Sequence, residues 1–183
     1  VFGVDALRYF VMREMTLGQD ANFSDEAILT GYNADLANDL GNVVSRTATM
    51  IARYCDGRIP PGQISEDKLL LAKRTGVDTD ETTIAGFIEH ARNQYLQHFE
   101  SFAFSRALEV AWSVVARVDK MITDAKPWDL AKDENQQQTL NAVLYRSAET
   151  LRWLAVLLYP VMPASSLDIW NQLGLADSPG GVD

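Results

Sequence analysis

The sequence is poor in the residues that build disulfides and metal sites, with one cysteine, Cys55, and two histidines among its 183 residues. A single cysteine excludes an intramolecular disulfide and a zinc site made of several cysteines, and it fits the reducing environment of the cytoplasm. His90 and His98 have no second histidine at one-turn spacing and no carboxylate placed to complete a metal site. Both are predicted to be packing or surface residues, so we expect no metal site.

Positive charge is also scarce. The chain has 16 Lys and Arg against 25 Asp and Glu, which gives a formal net charge of −9. This balance argues against a protein that holds nucleic acid through a broad phosphate-neutralising surface, so any RNA must bind locally. The basic residues are densest after Tyr54, at Arg58, Lys68, Lys73 and Arg74. This cluster fits either a solvated surface or a phosphate-facing patch.

Long hydrophobic runs are missing as well. The longest, from Trp153 to Val161, is too short to span a bilayer, and the N-terminus lacks the basic and then apolar pattern of a signal peptide. We therefore expect a soluble, cytoplasmic protein. The chain begins at Val1 rather than methionine, which suggests a piece of a longer protein.

Catalytic motifs are absent from the sequence. It contains no Gly-rich phosphate loop, no nucleophile elbow and no two carboxylates spaced as an acid and base pair. We therefore assign no catalytic residue and expect this chain to perform no chemistry by itself.

Apolar residues recur at three- and four-residue steps through most of the chain, which predicts amphipathic helices. No stretch shows the strict alternation of a strand. Because 47 % of the residues are hydrophobic, the chain can bury a substantial core. The predicted fold is an all-α, up-and-down bundle of four to five long helices, with helices at 3–14, 24–54 (bent at Gly31 or Gly41), 80–99, 104–123 and 136–159, a short helix at 167–173, and a linker from Cys55 that includes a short helix at 68–74.

The segment from Asp35 to Tyr54 predicts a helix with two distinct faces. One face is apolar, whereas Asn42 and Arg46 stand one turn apart on the other. Gly41 and the nearby asparagines are poor helix formers, so stability alone does not explain them. An amide and a guanidinium in fixed relation suit the edge of a nucleobase, although a polar stripe facing water is the more common meaning of such residues.

Trp128 directly follows Pro127 in a charged stretch between two predicted helices. A tryptophan there is hard to bury from every side. It can either cap one end of the bundle or provide a flat ring on which an unstacked base can lie. In the second case, Trp128 would stack on a base while Asn42 and Arg46 contact base edges in a single-stranded loop.

Five segments, in this order, resemble the C-terminal half of bacterial methionyl-tRNA synthetases. They are GVDALRYFVMRE, GQDANFS, NADLANDLGNVVSR, AKPWDLAKD and LYPVMP. The first segment alone is also similar to the synthetases for isoleucine, valine and leucine. GNVVSR together with KPWDLAKD at this separation is typical of the methionine family.

The resemblance implies an anticodon-binding domain that reads the CAU anticodon of methionine tRNA. The family's anticodon-reading residues match Asn42 and Arg46, and its stacking tryptophan matches Trp128, preceded by Pro127. It further implies that the intact protein is a ligase that attaches methionine to its tRNA using ATP and magnesium, with a catalytic domain in the same polypeptide. Residues 1–23 correspond to the connector, 24–175 to the anticodon-binding domain and 176–183 to a flexible tail.

The chain also departs from that family. The HIGH and KMSKS signatures and the cysteines of the zinc-binding insertion are not in this sequence, so we expect this chain neither to activate methionine nor to charge tRNA. The β-barrel extension that some members use to dimerise is also not in it, which leaves the oligomeric state open. Two alternatives remain: a helical protein-interaction domain that docks a partner through the Trp128 loop, or the anticodon domain of a related class I synthetase.

Overall fold

Every regular element among the described residues is helical, which confirms the predicted all-α bundle. The computed structural model describes residues 3–14, 24–62 and 84–181. In chain order its elements are α1 (Val4–Glu14), α2 (Asp25–Gly31), a π-helix (Tyr32–Gly41), α3 (Asn42–Tyr54), α4 (Ile84–Glu100), α5 (Phe104–Ala125), α6 (Pro127–Leu130), a 3₁₀ turn (Glu134–Gln136), α7 (Gln137–Leu158), α8 (Pro163–Gln172) and a 3₁₀ turn (Pro179–Gly181).

Helix α5 lies at the centre of the bundle, where it packs against α4 and α7 and also contacts α1, α3 and the π-helix. Its inward stripe recurs at three- and four-residue steps, as the sequence predicts, and consists of Ala107, Leu108, Ala111, Val114, Val115, Val118, Met121 and Ile122. Burial of this stripe against the neighbouring helices removes apolar surface from water, which is the main stabilising contribution to such a bundle. The opposite face of α5 remains available for a site.

The segment from Asp25 to Tyr54 is helical throughout, but its winding changes at the two glycines where the sequence predicted a bend. The Ser24 hydroxyl caps its start by accepting a hydrogen bond from the amide of Ala27 at 3.2 Å. Between Gly31 and Asn42 the backbone forms a π-helix, a rare element that is common at functional sites. A Cβ at Gly41 would lie 3.0 Å from the carbonyl oxygen of Leu36, so a residue without a side chain fits the wide turn. Asn42 follows directly after this turn.

Helix α1 is fastened to the region around α8 by polar contacts. The Arg8 guanidinium donates to the carbonyls of Val161 at 2.8 Å and Pro160 at 2.6 Å. Asp5 lies in the first turn of α1, and its carboxylate accepts a hydrogen bond from the amide of Ser165 at 2.6 Å. Helix α1, which lies within the predicted connector, is therefore packed directly onto the helical bundle.

Some element boundaries differ from the sequence prediction. Pro127 starts the short helix α6 within the predicted loop, and Pro163 starts α8 four residues before the predicted helix, because proline suits the first turn of a helix. Within the segment 176–183, predicted as a flexible tail, the carbonyl of Ala176 accepts a hydrogen bond from the indole of Trp170 at 2.9 Å, and Pro179 is buried. The division at residues 23 and 175 stays a prediction, and the predicted helix at 68–74 lies outside the described residues.

Candidate nucleic-acid interface

The polar face of α3 begins at its first residue. Asn42 is exposed, and Arg46 is half-buried one turn later. Thr49 and Arg53 continue the same face and are exposed, while Val43, Met50 and Ile51 are buried on the other side. The two faces predicted for this helix are therefore present, and Asn42 and Arg46 point away from the core.

Arg46 is held by a residue of another helix. Its Nη1 donates to Oδ1 of Asp119 on α5 in a short, charge-assisted hydrogen bond. The side chains of Arg46 and Asp119 retain 29 % and 42 % of their full solvent exposure, so the pair lies at the surface. Asp119 gave no signal in the sequence, because 73 positions separate it from Arg46.

Further carboxylates surround this ion pair. The pKa of Asp39 on the π-helix is raised, first by burial and then by the negative charges of Asp35 and Asp119. The surface near Arg46 is therefore locally acidic, and general attraction of phosphates is weak there. Such a surface suits contacts to base edges better than contacts to the RNA backbone.

Trp128 is presented by a tightly bonded turn between α5 and α7. Lys126 adopts a left-handed conformation, with φ of 49°, and ends α5 by donating its amide to the carbonyl of Ile122 at 3.1 Å. Pro127 is buried, and Leu130 packs partly against the core. These anchors leave Trp128 with 40 % of its surface exposed. The ring is therefore fixed at its base and open to solvent on part of its surface.

Polar contacts close the same turn. Lys132 donates to Asp129 at 2.7 Å, and this bond lowers the pKa of Asp129 below its usual value. The pKa of Lys132 is raised, mainly by the hydrogen bond and charge of Asp129 and to a smaller extent by the Tyr54 side chain. Tyr54, at the end of α3, is therefore close enough to Lys132 to act on its charge.

The two parts of the predicted site lie toward the same end of α5. Asp119, which contacts Arg46, lies six residues before the end of α5, so the helix advances about 9 Å from the ion pair to the Trp128 turn. The end of α3 also lies close to the start of α7. The sulfur of Cys55, the residue after α3, is 3.9 Å from the amide oxygen of Asn141 in the first turns of α7.

Two clefts occur elsewhere on the surface. One, of about 750 Å³, is lined by Phe102, Phe104, Arg106 and Glu109 near the start of α5. Another, of about 450 Å³, lies among α1, the π-helix, α3 and α8. Neither of these two clefts is lined by Asn42, Arg46 or Trp128.

Known proteins similar to this chain are synthetases. A family model described as tRNA synthetases class I (M) matches residues 1–48. The methionine-tRNA ligase of Caldanaerobacter subterraneus subsp. tengcongensis is 40 % identical over 96 % of this chain and 26 % of its own length. The methionine-tRNA ligase of Mycobacterium bovis is 40 % identical over 95 % of this chain and 32 % of its own length. The chain is homologous to a segment of the methionyl-tRNA synthetases.

Solved structures agree with this homology. Mycobacterium tuberculosis methionyl-tRNA synthetase in complex with methionyl-adenylate is 36 % identical and superposes with a TM-score of 0.83, over 96 % of this chain and 32 % of that structure. The free form of the same enzyme gives a TM-score of 0.82. The family recognised from the sequence motifs is therefore confirmed. This chain spans about a quarter to a third of the length of these methionyl-tRNA synthetases.

Two further properties concern the described part of the chain only. It holds no helix long and apolar enough to cross a membrane. It also holds no group of three or more His, Cys, Asp or Glu side chains that could bind a metal ion.

Proposed function

We propose that this chain reads the CAU anticodon of methionine tRNA as the anticodon-binding segment of a methionyl-tRNA synthetase. In the intact protein, a catalytic domain of the same polypeptide would attach methionine to that tRNA in the cytoplasm, using ATP with magnesium. Residues 24–175 would form the anticodon-binding domain, and residues 1–23 would connect it to the catalytic domain. The described residues contribute binding and no chemical step.

The observation that carries the proposal is the exposed ring of Trp128 in the turn that follows α5, the helix whose Asp119 holds Arg46. Pro127 and Leu130 anchor the turn, so the ring needs little rearrangement before a base stacks on it. One stacked base contributes roughly 1–3 kcal/mol. Asn42 and Arg46 add forked hydrogen-bonding groups, which can contact the edges of neighbouring bases.

The acidic character of the chain is compatible with this function. A net charge of −9 excludes strong general binding of RNA. Stacking and base-edge contacts need few phosphate contacts, and Arg53 is the exposed cation that follows Arg46 on the same face of α3. We therefore expect binding that depends on loop sequence and only weakly on salt.

The protein-docking alternative draws its main support from another region. The most exposed aromatic residue of the described chain is Phe102, with 61 % of its surface exposed beside the 750 Å³ cleft. Helix α5, which has 22 residues and is about 33 Å long, lies between Phe102 and Trp128. The exposed apolar surface at Phe102 is therefore separate from the Trp128 turn and does not argue for docking there.

The test is a titration of a fluorescently labelled anticodon stem-loop, followed by anisotropy. We expect the CAU loop to bind and Trp128→Leu to weaken binding by at least about fivefold, because leucine covers the turn but cannot stack on a base. Phe102→Leu is the matched control, since it removes an exposed ring at the other end of α5. Thermal melting of each variant establishes that it is folded.

The proposal fails if Trp128→Leu binds the CAU loop as tightly as the unaltered chain. It also fails if the Phe102 control weakens binding equally, because the effect then has no connection with the Trp128 turn. A loop in which the C is replaced should bind more weakly, and equal affinity for both loops would exclude reading of the anticodon.

A further inference from the structure

The Arg46 and Asp119 pair presents both hydrogen-bond donors and an acceptor at one place on the surface. The guanidinium has five N–H donors, and the bond to Asp119 uses one nitrogen, Nη1. Within the described part of the chain, neither side chain has another hydrogen bond, and both keep access to solvent. Free donors of Arg46 and a free carboxylate oxygen of Asp119 therefore stand side by side.

Asp119 is held in place by the fold. It lies on α5 between residues that anchor this helix in the core, with Val118 and Ile122 fully buried. The backbone that carries the carboxylate is therefore anchored in the core, and the carboxylate already pairs with Arg46 of α3. The spacing of donor and acceptor is therefore set before RNA arrives, which reduces the cost of binding.

This arrangement matches one pyrimidine and opposes the other. The pairing edge of cytosine offers two acceptors, O2 and N3, followed by the N4 amine as a donor. The guanidinium can donate to the two acceptors while the carboxylate accepts from the amine, as guanine does in a base pair. Uracil has a carbonyl oxygen in place of the amine, so the carboxylate would face a second acceptor.

We propose that Asp119 is a specificity-determining residue that makes the Arg46 site select cytosine over uracil. This inference rests on the proposed function and assigns the cytosine of the CAU anticodon to the ion pair. Asp119 thereby has two roles: it orients the Arg46 guanidinium, and it contacts the base itself. The second role distinguishes it from a residue that only supports Arg46.

The experiment compares three stem-loops that differ only in the first anticodon base: cytosine, uracil, and pyrimidin-2-one, which is cytosine without its amine. The unaltered 183-residue chain should bind the cytosine loop at least about fivefold more tightly than either of the others. In Asp119→Ala, the difference between cytosine and pyrimidin-2-one should disappear. In Asp119→Asn, the preference over uracil should fall, because an amide can turn its NH₂ group toward the uracil oxygen.

Asp124→Ala is the matched control, since it removes the same charge from the same helix, where Asp124 pairs with Lys120 at 3.0 Å. It should change the affinity for all three loops by one common factor and leave their ratios unchanged. The inference is overturned if Asp119→Ala keeps the preference for cytosine over pyrimidin-2-one. It is equally overturned if that variant weakens all loops by one factor, which would mean that Asp119 only positions Arg46.

Failure of this inference is distinguishable from failure of the proposed function. If the unaltered chain prefers the cytosine loop but Asp119→Ala keeps the preference for cytosine over pyrimidin-2-one, only the role of Asp119 is refuted. If the unaltered chain binds the cytosine and uracil loops equally, both are refuted. If it binds no loop at all, both are refuted.

Discussion

Replacement of Tyr9 by phenylalanine tests how firmly α1 is joined to the π-helix that precedes α3. The Tyr9 hydroxyl donates to Oδ2 of Asp35 at 2.5 Å, and this bond connects two elements that are 26 positions apart in the chain. Tyr9 is buried, and its ring lies 4.7 Å from that of Trp112. Phenylalanine keeps the ring contact and removes the hydroxyl, with its bond to Asp35 and its interaction with Arg13.

The expected loss follows from the nature of the acceptor. A hydrogen bond to a charged group contributes about 1.5–3 kcal/mol to the free energy of unfolding, against about 0.5–1.5 kcal/mol for a neutral pair. Tyr95 provides the comparison, because its hydroxyl is also buried and donates to a neutral acceptor, the carbonyl of Leu157, at 2.6 Å. We expect Tyr9→Phe to destabilise the protein by about 1 kcal/mol more than Tyr95→Phe does.

Urea unfolding followed by circular dichroism measures both variants. Their free energies should be compared at a common urea concentration near the midpoint, because extrapolation to water adds error. A loss for Tyr9→Phe that is equal to or smaller than the loss for Tyr95→Phe would show that the Asp35 bond adds nothing beyond an ordinary hydrogen bond.

The pH dependence gives a second check on the same bond. Burial raises the pKa of Tyr9, and the hydrogen bond and charge of Asp35 raise it further. The associated stabilisation is complete below about pH 10, the ordinary pKa of the unfolded phenol, and is lost as the pH rises above it. The difference in stability between the unaltered chain and Tyr9→Phe should therefore be constant from pH 7 to 9 and narrow above pH 10.

Two further predictions concern Arg46 and Cys55. Arg46→Lys should weaken binding of the CAU loop by at least about fivefold, because an ammonium cannot reproduce the planar fork of the guanidinium. The free energy of unfolding should change by less than about 1 kcal/mol, since lysine can still pair with Asp119. Unchanged discrimination of the C by this variant in the anisotropy assay would exclude base-edge contact by Arg46. Burial, followed by the negative charge of Asp56, raises the pKa of the Cys55 thiol, so iodoacetamide at pH 8 should modify Cys55 more slowly than an unstructured peptide thiol. Asp56→Asn should raise that rate about twofold, and a Cys55 rate equal to that of the peptide would contradict the assigned pKa shift.

Much of the helical architecture could be predicted from the sequence because helix formation is governed by local periodicity. The apolar stripes of α5 and α7 repeat every three or four residues, and proline or a cap such as Ser24 marks the ends. The sequence could not show that the ten residues from Tyr32 to Gly41 form a π-helix and not an α-helix, because the two apolar patterns are similar over so short a segment. Its glycines predicted a bend, whereas the structure shows a wider helical turn that ends at Gly41, directly before Asn42.

The sequence by itself singled out Asn42, Arg46 and Trp128, because each is unusual for its local context, and the family resemblance added Pro127. It could not show how far Trp128 is exposed, since Pro127 and Leu130 anchor that turn through contacts with the rest of the bundle. It also could not find Asp119, whose spacing within α5 is that of any surface residue. Only the packing of α3 against α5 places this carboxylate on Arg46, and only the packing of α1 against the π-helix places Tyr9 on Asp35. Local chemistry thus determined the helices and the unusual side chains, whereas helix packing decided which of these side chains meet, because contacts between distant residues depend on the whole fold.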